Sequence, residues 1–335
     1  MKAVVFTAKD APIITEDIPA PQPSAHDVLI SVQASALNHR DLWISKGQYA
    51  KISYPVIPGS DGAGIVISSG TKHTPVGSRV LINPNIDWGV IPAIQSPSYS
   101  ILGMPSQGTM AEMISVPAHR VHRIPDHLSF EQAAALPLAG LTAYRAVFTK
   151  GLIQSGQTVL ITGIGGGVAL MAMQFALASG AKVYCTSGQQ SKIDKAIALG
   201  ASGGALYTDE GWVKSLQIQH PDGFDCIIDS AGGPQWNQLT GLLKTGGRLV
   251  FYGATLGNVP ELSLQRLFWK QITICGSTMG SDAEFEMMLH FCAYHGIIPI
   301  IDSIYSIDDA SNAFSHMEKG GQFGKIVLHH EQKAS

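Results

Sequence analysis

The chain has 335 residues, enough for two domains of ordinary size, with 45% hydrophobic and 14% charged residues. A net charge of −3 gives no basic field for a nucleic-acid backbone, and no Arg/Lys stripe with interleaved aromatics occurs, so no nucleic-acid partner is expected. The opening Met1–Thr7 carries one cation and too short an apolar run for a signal peptide, and the longest apolar helix is cut by Gln174, so the expectation is a soluble cytoplasmic protein without membrane contact.

From Lys2 to about Pro117 the pattern is short β-runs broken by Pro and Gly: Ala3–Thr7, Val28–Ala34, Gly64–Ser68, Arg79–Asn83 and Ala111–Val116. Such spacing predicts a small antiparallel barrel or sandwich. The segment Asn83–Gly108 lacks periodicity and holds Trp88, Tyr99 and several prolines, so it either covers a site or is a surface excursion. Ser129-Phe-Glu-Gln132 is a capping box opening a helix over Phe130–Leu136, and Pro137 breaks or restarts it before Ala139–Phe148, which carries Thr142 near its start.

The chain is organised around Thr158–Ser187, which reads as strand, glycine turn, helix and strand. Val159–Thr162 is a continuous aliphatic and β-branched run, as expected of a parallel strand covered on both faces. Gly163, Gly165, Gly166 and Gly167 let the backbone turn sharply and leave room for a diphosphate at the N-terminus of the next helix, Val168–Ser179, which Gly180 stops. Counted from Gly163, the third glycine of the usual fingerprint is Val168, but the flanking strands and helix supply the context for a dinucleotide site.

The residues after the second strand, Lys182–Thr186, discriminate between cofactors. An NAD site wants a carboxylate there for the ribose 2′-OH. This chain offers Ser187, Gly188, Gln189, Gln190, Ser191 and Lys192, with no acid before Asp194. A hydroxyl, an open glycine and a cation suit a 2′-phosphate, so NADP(H) is the expected cofactor. The ordinary alternatives are a solvated first-turn lysine at 192 and a helix N-cap at Ser191.

Alternating units follow: helix Ser191–Leu199, strand Gly204–Tyr207, helix Gly211–Ile218, strand Asp225–Asp229, helix Gln235–Leu243, and strands Gly247–Tyr252 and Ile272–Ser277. That order predicts a doubly wound parallel sheet. Two glycine-rich exits, Asp229–Gly233 and Tyr252–Gly257, put Ala231, Gly253, Ala254 and Thr255 on the C-terminal edge, as cofactor contacts or as plain turns. Helices at Glu284–Tyr294 and from Ser306–Asp309 to Gly320, then a strand at Phe323–Leu328, close the chain. No strand-helix repeat is read past Ser277, so the tail is expected to return to the first domain, giving 1–124 completed by 284–335 around a nucleotide-binding domain at 125–283. Cys185, Cys226, Cys275 and Cys292 stand singly in apolar runs and read as buried reduced thiols.

Ala36–Leu42, Pro58–Gly64, Leu136–Tyr144, the glycine turn and Gly324–Leu328 occur in order across essentially the whole chain. Together they resemble the medium-chain dehydrogenase/reductase superfamily, and within it the zinc-lacking, quinone-oxidoreductase-like branch. The resemblance implies an α/β fold with a GroES-like β-barrel domain and a Rossmann domain, assembled as a dimer or tetramer. Zinc-containing members place a Cys where Asn38 stands, a His-Glu pair where Ser60-Asp61 stands and a third ligand where Leu138 stands; their structural zinc uses four cysteines in the loop matching Asn83–Gly108, which has none. No metal is therefore expected, and His39 with Asp61 reads as loop polar residues rather than a residual two-ligand site.

The resemblance also implies site residues: Asn38 beside the nicotinamide ribose, Tyr49 facing the substrate, and Thr142 at the nicotinamide end. Ser187, Lys192 and Tyr207 would surround the 2′-phosphate, and Gly321, Gln322, Phe323 and Lys325 would close over the cofactor. The plain alternatives are a tyrosine packed on the barrel at 49, a backbone-bonded Thr142, a strand-end aromatic at 207 and a strand-edge charge at 325. Without a Lewis acid to lower an alcohol's hydroxyl pKa, hydride addition to an already polarised quinone or α,β-unsaturated carbonyl is the expected chemistry. An enoyl-thioester reductase is the alternative within the class, although Asn83–Gly108 holds no Lys or Arg for a carrier phosphate. A non-catalytic NADPH-binding redox sensor or scaffold is the alternative outside it.

Overall fold

Alternation along Asp27–Ala36 puts Val28, Ile30, Val32 and Ala34 on one face, and all four are buried. This strand is the spine of a seven-stranded sheet. Along one side it pairs antiparallel with Asp61–Ser69; on the other, Met113–Pro117 takes its first half and Lys325–His329 its second. Arg79–Ile82 and Val121–Arg123 extend the sheet beyond Asp61–Ser69. Gly64 is required at the central crossing, because a Cβ there would lie 2.1 Å from the Ser31 carbonyl oxygen. The antiparallel sheet and its Val/Ile core match the expected GroES-like architecture.

The computed structural model describes residues 1–330 and divides into two units, Met1–Leu141 with the chain from Gly280 onward, and Thr142–Met279. The last five residues of the segment expected to return to the first domain lie outside the described residues. The divisions fall at 141 and 279 rather than at 124 and 283, because the helices Phe130–Ala134 and Pro137–Tyr144 begin within the first unit. One expectation is corrected: the tail does carry a strand-helix repeat. Ile301–Ser306 runs parallel to Lys325–His329, and the helix Ala310–Lys319 between them buries Ala313, Phe314 and Met317 in the first unit's core. A helix at His39–Ser45, not foreseen, follows the spine strand.

In Asn83–Gly108, short strands Asn85–Ile86 and Ser100–Ile101 pair, and Trp88 packs edge-on against Tyr99 at 5.2 Å. The segment is thus an ordered excursion whose tip exposes Val90, Ile91 and Ile94.

His330 ends the last strand's segment with its ring 1% exposed and Nε2 2.9 Å from Ser35 Oγ. Burial, with a smaller push from His329, brings this imidazole down from 6.5 to about 3. Below pH 6.5 the unfolded chain therefore takes up a proton that the native one refuses, and stability falls as pH drops from 6.5 to 3. The expected slope is about 1.4 kcal/mol per pH unit, and His330→Gln should flatten that part of the denaturation-versus-pH curve.

The second unit is a six-stranded parallel sheet. Its spatial order is Gly203–Leu206, Lys182–Ser187, Thr158–Ile161, Phe224–Asp229, Leu243–Phe251 and Thr273–Gly276. That is the doubly wound order, with the switch point between Thr158–Ile161 and Phe224–Asp229. Val159, Leu160 and Ile161 are fully buried, as a two-sided parallel strand requires. The helix Gly167–Ala178 follows the glycine turn, and Gly180 ends it at φ +83°. The edge strand Thr273–Gly276 and the short helix Leu264–Trp269 are poorly covered, with Leu264, Phe268 and Trp269 each more than two-thirds exposed. Among the described residues no helix is long and apolar enough to cross a membrane.

Candidate active site

In the first unit, three side chains distant in sequence meet in a buried network. Lys325 Nζ lies 2.9 Å from Asp61 Oδ2 and 2.7 Å from Asn38 Oδ1, and Asn38 Nδ2 donates to Asp61 Oδ2 at 2.9 Å. An ammonium has only protons to offer, so the Asn38 amide must turn its oxygen to Lys325 and its nitrogen to Asp61. The other carboxylate oxygen, Asp61 Oδ1, accepts the Leu138 backbone N–H at 2.8 Å. Asp61 is wholly buried and Lys325 only 5% exposed. Lys325 is thus not the strand-edge charge of the ordinary reading: its strand lies between Ile301–Ser306 and Asp27–Ala36.

A second cluster adjoins the first through Ser60, next to Asp61. Arg40, on the helix His39–Ser45, donates through Nη1 to Ser60 Oγ at 2.6 Å and to the Leu102 carbonyl at 2.8 Å. Its guanidinium carbon stands 5.0 Å from the centroid of the Tyr49 ring. Tyr49 is half-buried and packs on the apolar core, so its packing role is real, yet it also borders Arg40. Sequence reading passed over Arg40, although it stands in the Ala36–Leu42 motif two residues from Asn38. His39 is exposed on the same helix.

In the second unit the glycine turn has the geometry a diphosphate needs. Gly163 and Gly165 sit at φ +62° and +121°, and Gly166 precedes the helix Gly167–Ala178, whose N-terminus has no side-chain cap. A Cβ on Gly166 would meet nothing within 4 Å. Gly165→Ala should therefore cost about 1–3 kcal/mol in strain on denaturation. Gly166→Ala should cost at most about 1 kcal/mol, as an N-cap change in open space, and weaken nicotinamide-dinucleotide binding, as read by fluorescence titration, because its methyl fills the space before the helix.

The two later exits interlock beside this turn. Leu256 N donates to the Ala231 carbonyl at 2.7 Å and Gly233 N to the Gly257 carbonyl at 3.0 Å. Gly253 approaches the Ser230 carbonyl so closely that a Cβ would lie 2.7 Å from its oxygen. The segments holding Ala231, Gly253, Ala254 and Thr255 are therefore one laced edge rather than two independent turns. Asp229 cannot serve a ribose: Oδ1 accepts Thr162 Oγ1 at 2.5 Å, and Oδ2 accepts Gly232 N at 2.8 Å and Trp236 Nε1 at 2.9 Å. Thr142 is buried and donates to Met279 Sδ at 3.7 Å, so it is more than backbone-bonded.

At the end of Lys182–Ser187, Ser187 is buried and its Oγ accepts Gln189 N at 3.2 Å. A methyl on Gly188 would lie 2.8 Å from Tyr207 Oη, so Gly188 and Tyr207 line one corner. Lys192 is half-buried in the first turn of the helix Gln190–Ala198, whose N-cap is Gln189 rather than Ser191. Phe323 is buried, and its N–H donates to Asp302 Oδ1 at 2.7 Å.

Comparison with known proteins matches residues 24–126 to the alcohol dehydrogenase GroES-like domain and 167–294 to the zinc-binding dehydrogenase domain. A zinc-type alcohol dehydrogenase-like protein, YogA, of Leptosphaeria maculans is 34% identical over 95% of this chain and 94% of its own. The chain belongs to the medium-chain dehydrogenase/reductase superfamily. A human quinone oxidoreductase is 28% identical over 94% of this chain and 92% of its own. A solved NAD-dependent alcohol dehydrogenase superposes with a TM-score of 0.93 at 33% identity, covering 98% of this chain and 99% of that one. Superfamily membership makes the protein an oxidoreductase with a small-molecule substrate, and the Rossmann unit implies a nicotinamide cofactor, which the uncapped helix and open Gly166 fit.

Zinc does not fit the donors that stand at the superfamily's ligand positions. Asn38 is an amide, Ser60 an alcohol bonded to Arg40, and Leu138 an alkyl chain. The remaining carboxylate, Asp61, has both oxygens engaged. Among the described residues no group of three or more His, Cys, Asp or Glu could hold a metal ion.

Proposed function

We propose that this protein is a zinc-independent, NADPH-dependent reductase of quinones or α,β-unsaturated carbonyls. The observation that carries the reading is the Asp61–Lys325–Asn38 network: a buried ammonium bonds the side chains that stand where zinc enzymes of the superfamily have a Cys and the acid of a His-Glu pair. A cation in that place opposes a divalent ion and leaves no thiolate or imidazole to attract one. Bound NADPH would supply a hydride, and the chain's part is to orient the acceptor and neutralise the charge that develops on its oxygen. Asn38 and Tyr49 are the candidates for contact with the nicotinamide ribose and the substrate.

The choice of NADPH rests on this chain's own residues at 187–192, which lack an acid and offer Ser187, Gly188 and Lys192, with Tyr207 alongside. In the same reading Thr142 meets the nicotinamide end, the turn from Gly163 to Val168 meets the diphosphate, and Ala231 and Gly253–Thr255 line the sheet edge; in the first unit Phe323 and Lys325 are the candidate cofactor contacts. The poorly covered edge strand and the exposed Leu264, Phe268 and Trp269 support a homo-oligomer, which sedimentation would detect.

The test is metal content beside cofactor-dependent turnover. Purified protein should contain well under one equivalent of transition metal by mass spectrometry and lose no quinone or enone reduction in EDTA. Stoichiometric zinc, or turnover that stops with chelation and returns with zinc, would overturn the reading. A crotonyl thioester preferred over free enones would favour the enoyl-thioester alternative, and NADPH binding without consumption would favour the sensor.

A further inference from the structure

Arg40 carries a charge that its surroundings do not neutralise by contact. It is 8% exposed, and among the described residues its one ion-pair contact is Asp41 Oδ1 at 4.0 Å. Burial pushes the Asp41 carboxyl upward, toward its neutral form. A buried guanidinium without a hydrogen-bonded carboxylate is costly, and stability alone is a poor reason to keep one.

We propose that Arg40 is a positioning residue for Tyr49 and that the two form an oxyanion-stabilising pair; the inference rests on the reductase reading above. Arg40 is anchored from behind by Ser60 Oγ and the Leu102 carbonyl, with Nη2 near the Met104 carbonyl at 3.5 Å. Its free edge faces Tyr49: Nε stands 3.5 Å from Tyr49 Oη, at the long limit of a hydrogen bond, and the cation lies by the ring. Arg can only donate, so the phenol oxygen accepts the Arg40 N–H and the Tyr49 hydroxyl hydrogen is left to donate in another direction.

In the reaction, hydride adds to the β-carbon of an enone or to the quinone, and the displaced π electrons move to the carbonyl oxygen. That oxygen takes the Tyr49 proton, completing a two-electron reduction as the dinucleotide is oxidised. The phenolate left on Tyr49 lies beside Arg40, whose charge offsets it until water returns a proton.

The test combines turnover with a binding measurement that needs no turnover. With 1,4-naphthoquinone and a 2-alkenal, Arg40→Met and Tyr49→Phe should each lower kcat about 10- to 100-fold, and Arg40→Lys should fall between Arg40→Met and wild type. The double variant should be no slower than Tyr49→Phe alone, and the solvent deuterium isotope effect of the wild type should vanish in Tyr49→Phe and persist in Arg40→Met, where Tyr49 still gives its proton. NADPH affinity by fluorescence should be unchanged, which also reports that the variants fold. Anionic 2-hydroxy-1,4-naphthoquinone should bind the NADP⁺ complex about 10-fold more weakly in either variant, with neutral 1,4-naphthoquinone unaffected.

Multiplicative losses in the double variant, full activity in Tyr49→Phe, or unchanged anion affinity in Arg40→Met would overturn the pair. A wild type that turns over no quinone or enone, yet binds the anion through Arg40, would sink the reductase reading and leave the pair standing.

Discussion

Lys325→Met is expected to destabilise the protein by about 3–5 kcal/mol, because it strands a charge where water cannot reach. Asp61 is wholly buried, and among the described residues its ion-pair partner is Lys325, 2.9 Å away. Asn38 and the Leu138 amide still donate to the carboxylate, but neutral donors do not replace a full charge. Asp61→Asn should cost a similar amount by leaving the ammonium buried. The double variant should recover much of the loss, since it removes both charges rather than one. Urea denaturation of the four proteins measures this directly. A Lys325→Met protein as stable as wild type would mean that water or a neighbouring group compensates Asp61.

The second large effect concerns the cofactor. Ser187→Asp should weaken NADPH binding about 100-fold or more, since a carboxylate at the strand end removes a donor and repels the 2′-phosphate. The same carboxylate can accept bonds from the 2′- and 3′-hydroxyls of NADH, whose affinity should rise. The loop should survive the change, because an aspartate oxygen can take over the Gln189 N–H that Ser187 Oγ now accepts. Lys192→Ala should weaken NADPH about 10-fold and leave NADH nearly unaffected. Fluorescence titration with both dinucleotides reads all four numbers, and a Ser187→Asp protein with unchanged NADPH affinity would contradict the assignment.

The second unit was legible in the sequence because its central strands, Thr158–Ile161 and Phe224–Asp229, carry buried aliphatic runs that lead into glycine-rich turns, and such runs have few alternative homes. The spine of the first unit was legible for a different reason: its strict alternation fixes which face is buried. Short elements escaped. The seven-residue helix His39–Ser45 and the six-residue helix Leu264–Trp269 are too brief to set a 3.6-residue period. Ile301–Ser306 alternates Ile301, Ser303 and Tyr305 with Asp302 and Ile304, so neither face reads as core; Ile304 is in fact 54% exposed.

For the site, sequence reading named Asn38, Tyr49 and Lys325 as separate residues of separate motifs. It could not say that Lys325 reaches Asp61, 264 positions away, or that Arg40 lies by Tyr49, because those meetings depend on the pairing of the first unit's strands and loops. The glycine turn could be placed because its meaning is local: a backbone at positive φ before a helix N-terminus is encoded within a few residues.

The central claim, hydride transfer from NADPH without a bound metal, is tested most directly by the kcat/KM of chelator-treated, metal-analysed protein for 1,4-naphthoquinone and a 2-alkenal, with NADPH and NADH as alternative donors. The account predicts undiminished turnover with substoichiometric metal and a clear preference for NADPH. Turnover that requires added zinc, or that runs faster with NADH on both acceptors, would contradict it.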